Sequence, residues 1–160
     1  MKFIKEIIPY IIILLVVVLI RSFIVTPVIV SGSSMDKTLS DNDILLLKKY
    51  DKNYERNEVI VFNYENSKLV KRVIGLPGET VSYKDGKLYI NNNEVEDRFS
   101  VITHDFDLSD IGYDKIPEDY YFVLGDNRNK SSDSRLIGLI HKNDILGSTS
   151  FSLFPFKSFE

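Results

Sequence analysis

The stretch VSYKDGKLYI, residues 81–90, decides the fold class of this chain. Apolar and polar side chains alternate on both sides of Asp85-Gly86, which is a favoured two-residue turn between antiparallel strands. The polar run at 91–93, three asparagines, has the composition of a second turn. The pattern therefore predicts a β-hairpin, followed directly by another turn.

Short apolar runs on either side of this hairpin predict further strands, because they are rich in β-branched and aromatic residues. They are Ile44–Leu47, Val59–Phe62, Leu69–Ile74, Tyr120–Leu124 and a last strand within Ile145–Leu153. Residues 98–118 show little periodicity and predict a long loop. No convincing amphipathic helix follows Val28. We therefore predict a mainly β domain, barrel-like or built from packed antiparallel sheets.

The N-terminal part of the chain is different. Ile7–Ile20 carries no charge, and apolar residues on both sides extend it to the length of a membrane span. A removable signal peptide would be equally apolar, but no small-x-small cleavage pattern follows the run. We predict that residues 1–27 form a cytoplasmic tail and one retained transmembrane helix. Lysines ahead of the span favour an extracytoplasmic location for residues 28–160.

Composition excludes several classes of function. The 160 residues carry a net charge of −3, whereas a nucleic-acid binder needs a concentrated basic face. There is no cysteine, which rules out disulfides and thiol catalysis, and the two histidines are isolated in sequence. We therefore predict no nucleic-acid partner, no metal and no cofactor.

Two residues, Ser34 and Lys71, could take part in catalysis. Ser34 lies between small residues and Met35, and a serine needs a nearby base to attack an amide at neutral pH. Lys71 is the one lysine within a mostly apolar stretch, Leu69–Ile74, where alternation puts it on the same face as Leu69 and Val73. Loss of hydration on that face would lower its pKa. An ordinary serine-rich turn and an exposed lysine would give the same sequence.

A polar loop follows the predicted strand Tyr120–Leu124. Its sequence is GDNRNKSSDSR, residues 125–135. Such a loop could be a solvated turn. It could also be a scaffold in which carboxylates pair with arginines and a hydroxyl orients Lys71.

Together these segments resemble the type I signal peptidases, a family of membrane-anchored serine–lysine proteases. The resemblance covers most of the chain and is least at residues 80–120. The matching positions, in order, are Arg21–Phe23, Pro27, Gly32–Met35, Thr38–Leu39, Asp43, Lys71–Glu79, Gly125–Arg128, Ser131, Asp133–Arg135 and Gly138. The small size and single predicted span are similar to those of Gram-positive members.

The resemblance implies a role for each matching residue. Ser34 would be the nucleophile and Lys71 the general base. The amide of Ser34 would supply part of an oxyanion hole, Gly32 would contribute only its backbone, and Ser131 would orient Lys71. The implied structural ion pairs are Arg72 with Asp126 and Arg135 with Asp133. The implied substrate-pocket residues are Val30, Met35, Leu39, Leu69 and Val70. Lys37 departs from the family, which usually has proline there.

The implied function is a serine endopeptidase that removes N-terminal signal peptides from exported preproteins. It would cut after small residues, in Ala-x-Ala-like sequences, at the outer face of the cell membrane, with signal peptides and the lipid bilayer as partners. Two alternatives belong to other classes. One is a non-proteolytic assembly factor for surface proteins on the same scaffold, and the other is a soluble Ser–Lys protein that cleaves itself.

Overall fold

Two antiparallel sheets follow one N-terminal helix. The computed structural model describes residues 2–23, 25–99 and 104–159. The helices are α1 (Lys2–Phe23) and α2 (Ser134–Ile137). The strands are β1 (Val25–Ile29), β2 (Ile44–Lys48), β3 (Val59–Tyr64), β4 (Ser67–Gly75), β5 (Val81–Lys84), β6 (Lys87–Ile90), β7 (Asn93–Val95), β8 (Phe106–Asp107), β9 (Tyr120–Leu124), β10 (Ile140–His141), β11 (Ile145–Thr149), β12 (Phe151–Phe154) and β13 (Lys157–Ser158).

The strand order places β4 inside the larger sheet. That sheet runs β10-β9-β4-β3-β11-β2-β12-β13, and β1 pairs with β2 as well. The smaller sheet runs β7-β6-β5-β8. The predicted mainly β class with antiparallel sheets is confirmed. Over its described residues the chain has no helix long and apolar enough to cross a membrane, and the predicted anchor stays a prediction.

The hairpin at residues 81–90 has the predicted turn. Val81 pairs with Ile90 and Lys84 with Lys87. Asp85 and Gly86 both have positive φ, 51° and 74°, as a type I′ turn requires.

Three boundaries differ from the sequence prediction. The last strand is divided, because β11 pairs with β3 and β2 whereas β12 pairs with β2 and β13. The predicted loop at 98–118 contains β8 and a 3₁₀ turn at Leu108–Ile111, and both are too short to show a period. Positions 100–103 of that loop lie outside the described residues. The division predicted after residue 27 falls within β1, which pairs with β2 along its length.

Strand β4 separates two parts of the core. Val70 packs on one side with Val30, Met35 and Leu39. Val73 packs on the other side, in a cluster with Tyr54, Ile60, Phe62, Tyr121, Val123, Ile140 and Ile145. β4 is hydrogen-bonded on one edge to β3 and on the other to β9. A side chain in the middle of this strand is therefore held in a fixed and largely dry position.

Candidate active site

Ser34 lies in a turn that is exposed on one side and anchored by a buried side chain on the other. The chain leaves β1 through Gly32, which has φ of +93°, a conformation that glycine adopts without steric cost. Met35 and Leu39 are 1% and 0% exposed, and the Leu39 amide donates to the Met35 carbonyl at 2.9 Å. Burial of these two side chains fixes the half-buried Ser34 at the edge of the core.

Lys71 reaches Ser34 from the centre of β4. Its side chain is 2% exposed, and its Nζ lies 2.7 Å from Ser34 Oγ and 3.0 Å from the Val70 carbonyl oxygen. Both hydrogen-bond acceptors are neutral. Among the described residues no ion pair includes Lys71. The structure thus brings the two residues together across 37 positions of sequence.

Burial favours the neutral form of this amine. It lowers the pKa of Lys71 from 10.5 to about 8, against the carboxylates of Asp133 and Asp126, which raise it. At pH 7 a pKa of about 8 leaves about a tenth of the molecules with a neutral amine. That fraction is roughly 300-fold larger than the fraction in an unperturbed lysine.

The Arg72–Asp126 pair ties β4 to the loop after β9. Arg72 Nη2 lies 2.6 Å from one Asp126 oxygen, and Nε lies 2.9 Å from the other. Their side chains are 6% and 0% exposed. Arg72 also donates to the Asn57 carbonyl and to the Thr38 hydroxyl. This network fixes the residue after Lys71 to the segment that carries Ser34.

The second pair stabilises the same loop. Asp133 accepts from Arg135 Nε at 2.8 Å and from the Gly125 amide at 3.1 Å. Arg135 also donates to the Arg128 carbonyl at 2.8 Å. The pair is therefore local in sequence but closes the loop from Gly125 to Arg135.

A third buried pair was not anticipated from the sequence. Arg128 donates to both oxygens of Asp97, and the Tyr83 hydroxyl donates to Asp97 at 2.6 Å. Burial alone would raise the pKa of Asp97, but the hydrogen bonds and charge of Arg128 hold that pKa below its usual value. Arg128 lies in a motif that the sequence singles out, whereas Asp97 adjoins a segment without periodicity and gave no signal.

Two predicted roles do not appear in the hydrogen-bond pattern. The Ser131 hydroxyl has no partner among the described residues and packs against Gly125, so it does not bond to Lys71. Gly32 was expected to contribute its backbone to an oxyanion hole, but its amide donates to Asp41 Oδ1 at 2.8 Å. That donor is already occupied by a carboxylate.

The five predicted pocket residues separate into two groups. Val30, Met35, Leu39 and Val70 belong to one buried cluster beside Ser34. Leu69 packs against the cluster on the other side of β4, because adjacent residues of a strand face opposite ways. A cavity of about 690 Å³ lies beside Arg72, and neither Ser34 nor Lys71 lines it.

A hydroxyl beside a neutral amine can act as a nucleophile whose proton the amine takes. A hydroxyl and a dehydrated amine lie within hydrogen-bonding distance on a scaffold held by buried ion pairs. Within the described part of the chain, no three histidine, aspartate or glutamate side chains are grouped to hold a metal ion.

Comparison with known proteins finds signal peptidases by family profile and by sequence identity. The profile of the family "Signal peptidase, peptidase S26" matches residues 2–154. Signal peptidase I of Bacillus amyloliquefaciens is 41% identical over 150 residues, which are 87% of this chain and 81% of that protein. Signal peptidase I P of Bacillus subtilis subsp. natto is 42% identical over 153 residues, 88% and 82% of the two chains.

A solved structure agrees with these relatives. The crystal structure of a signal peptidase I from Enterococcus faecalis V583 superposes with a TM-score of 0.55 at 34% sequence identity, covering 60% of this chain and 96% of that one. The chain belongs to the peptidase S26 family of signal peptidases, among the type I enzymes of the Gram-positive type.

Proposed function

We propose that this chain cleaves signal peptides from exported preproteins, with Ser34 as the nucleophile and neutral Lys71 as the general base. The observation that carries the proposal is the 2.7 Å distance between Lys71 Nζ and Ser34 Oγ. Lys71 is only 2% exposed, so its amine is shielded from water. Family membership supplies the substrate class.

The proposed reaction has two halves. Ser34 Oγ attacks the carbonyl carbon of the scissile bond while Lys71 Nζ takes the hydroxyl proton. Lys71 then gives that proton to the leaving amine as the carbon–nitrogen bond breaks, which leaves an ester on Ser34. In the second half Lys71 takes a proton from water as the water oxygen attacks the ester carbon. When the carbon–oxygen bond to Ser34 breaks, Lys71 gives that proton to Ser34 Oγ, and the signal peptide leaves as a carboxylic acid that ionises to a carboxylate.

The negative oxygen of the tetrahedral intermediate needs a preorganised donor. Among the described hydrogen bonds the Ser34 amide makes none, so this N–H is available. We assign it as one oxyanion donor. Gly32 is not assigned this role, because Asp41 already accepts from its amide.

Specificity for small residues follows from what lies beside Ser34. The cluster that contains Val30, Met35, Leu39 and Val70 is buried. A methyl side chain next to the scissile bond would rest on this cluster, whereas a large side chain would have to displace it. An extended Ala-x-Ala substrate places two such side chains on one face.

The proposal includes an anchor in the cell membrane, with the N-terminus cytoplasmic and the β domain outside. Its support is α1, where the exposed large apolar side chains from Ile7 to Leu19 are 37–72% accessible and would be covered by lipid. Anchoring enzyme and preprotein in one bilayer raises their effective concentration. Alkaline extraction of membranes from cells that express the full chain should leave it in the membrane pellet. Its release into the supernatant would contradict the anchor.

The test of the catalytic proposal is cleavage of a preprotein by the full chain in detergent. Ser34→Ala and Lys71→Ala should each abolish cleavage, with unchanged circular dichroism. Lys68→Ala is the matched control, because Lys68 lies in the same strand and is exposed. Normal turnover by either active-site variant would overturn the assignment. Inactivity of the unmodified chain would favour the assembly-factor alternative.

A further inference from the structure

Asn127 holds the backbone on both sides of the Ser34 α-carbon. Its own amide donates to the Ser34 carbonyl at 3.0 Å. Its side-chain Nδ2 donates to the Ser33 carbonyl at 3.0 Å. Asn127 itself is fixed from the other side, because it directly follows Asp126, whose carboxylate is paired with Arg72. One residue therefore attaches two consecutive peptide groups of the Ser34 turn to the loop that follows β9.

The geometry of the peptide bond gives these contacts a consequence. The Ser33 carbonyl and the Ser34 N–H belong to one planar group and, in a trans peptide, point in opposite directions. Fixing the direction of the carbonyl oxygen therefore fixes the direction of the N–H. The Ser33 carbonyl also accepts from the Asp36 amide at 3.1 Å, but that bond closes the turn on itself and would move with it.

We propose that Asn127 is a positioning residue that aims the Ser34 amide at the oxyanion. This inference rests on the proposed function, since it assumes that the Ser34 N–H stabilises the tetrahedral intermediate. Asn127 makes no hydrogen bond to Ser34 Oγ or to Lys71 Nζ among the described contacts, so it acts through the backbone. It should affect the transition state and leave the pKa of Lys71 unchanged.

The substitution Asn127→Ala separates its two contacts. It removes the bond from Nδ2 and keeps the backbone bond to the Ser34 carbonyl. Outright loss of an oxyanion donor lowers kcat by about 10²–10³-fold, so misalignment should lower kcat by about 10- to 100-fold. KM should stay within about twofold. Asn129→Ala is the matched control, because Asn129 lies in the same loop and is exposed.

Two inhibitors distinguish positioning from general damage. A peptide aldehyde forms a tetrahedral adduct with the serine and uses the oxyanion donor, whereas a peptide with a reduced scissile amide does not. In Asn127→Ala the inhibition constant of the aldehyde should rise by the same factor by which kcat/KM falls. Binding of the reduced-amide peptide and the pH midpoint of activity should not change.

Different outcomes would overturn this inference and the proposed function. Unchanged kcat in Asn127→Ala, or equal weakening of both inhibitors, would overturn the inference while the proposed function stands. Failure of the unmodified protein to cleave the preprotein would overturn the proposed function instead. If Asn127→Ala does not fold, Asn127→Asp provides the test, because it keeps the shape and replaces the donor by an acceptor. It should lower kcat at least as much as alanine does, and full activity would overturn the inference.

Discussion

Lys71 and Arg72 are adjacent in β4 and both are buried, but Arg72 contacts a charged acceptor and Lys71 contacts neutral ones. Arg72 forms two hydrogen bonds with the Asp126 carboxylate, whereas Lys71 donates, among the described residues, to a hydroxyl and a backbone carbonyl. A paired guanidinium keeps its charge, and an unpaired amine in a dry site tends to lose it. The strand thus holds a charged, paired guanidinium next to an amine whose neutral form is favoured by burial.

Activity should rise with pH. With a pKa of about 8 for Lys71, kcat/KM for preprotein cleavage should increase tenfold per pH unit below about pH 7 and level off above about pH 9. Lower pH protonates the base and removes it from the reaction. The measurement is a pH–rate profile in detergent. Lys71→Arg, whose side chain stays protonated, should be inactive throughout, and a midpoint below pH 6 would contradict the assignment.

Removing the buried amine should stabilise the fold. The folded pKa of Lys71 lies below its unfolded value of 10.5, so the unfolded chain binds more protons between about pH 8 and 10.5. The contribution of Lys71 to the wild-type stability therefore rises across this window and is lowest below it. Lys71→Met, which is similar in volume, should be more stable than wild type at pH 7, by up to about 3 kcal/mol.

The check is urea denaturation at pH 7 and at pH 10.5. The advantage of Lys71→Met should shrink at the higher pH, while preprotein cleavage is lost at both. A variant less stable than wild type at pH 7 would show that the hydrogen bonds of Lys71 outweigh its desolvation.

Breaking the Arg72–Asp126 pair should be costly. Asp126→Ala leaves a buried guanidinium without its carboxylate, which lowers the free energy of unfolding by about 3 kcal/mol. Glu94→Ala is the control, because the Lys87–Glu94 pair has a distance of 2.9 Å but side chains more than half exposed. Its urea midpoint should not change. Equal midpoints for the two variants would mean that burial does not set the strength of these pairs.

Lys37 occupies an unfavourable backbone conformation. Its φ is +100°, a value that side chains with a Cβ rarely adopt. Lys37→Gly should therefore raise the stability by up to about 1 kcal/mol. Lys37→Pro, which restores the residue usual in the family, should destabilise the protein, because the proline ring holds φ near −65°. Thermal denaturation of both variants is the test, and a stabilising proline would contradict the observed φ.

Structural features that depend on a local sequence pattern could be predicted from the sequence. The hairpin turn at Asp85 and Gly86 follows from the alternation of apolar and polar residues on both sides of it. Alternation also put Lys71 on the face of Leu69 and Val73, but only the folded structure decides that Lys71 is buried. Contacts between distant segments could not be predicted in this way. Nothing near Asp97 indicates Arg128 as its partner, and the acceptor for the Gly32 amide is decided by where Asp41 lies after folding.

The short connection between α1 and β1 would matter for the proposed membrane anchor. One residue separates Phe23 from Val25, and β1 is bonded to β2 from its first residue to its last. Five residues of strand span about 15 Å, so with α1 in the bilayer Ser34 would work at a nearly constant height above the lipid. The short connection would then restrict cleavage to scissile bonds at one distance from the membrane surface. A flexible insertion after Phe23 would allow cleavage at more than one position.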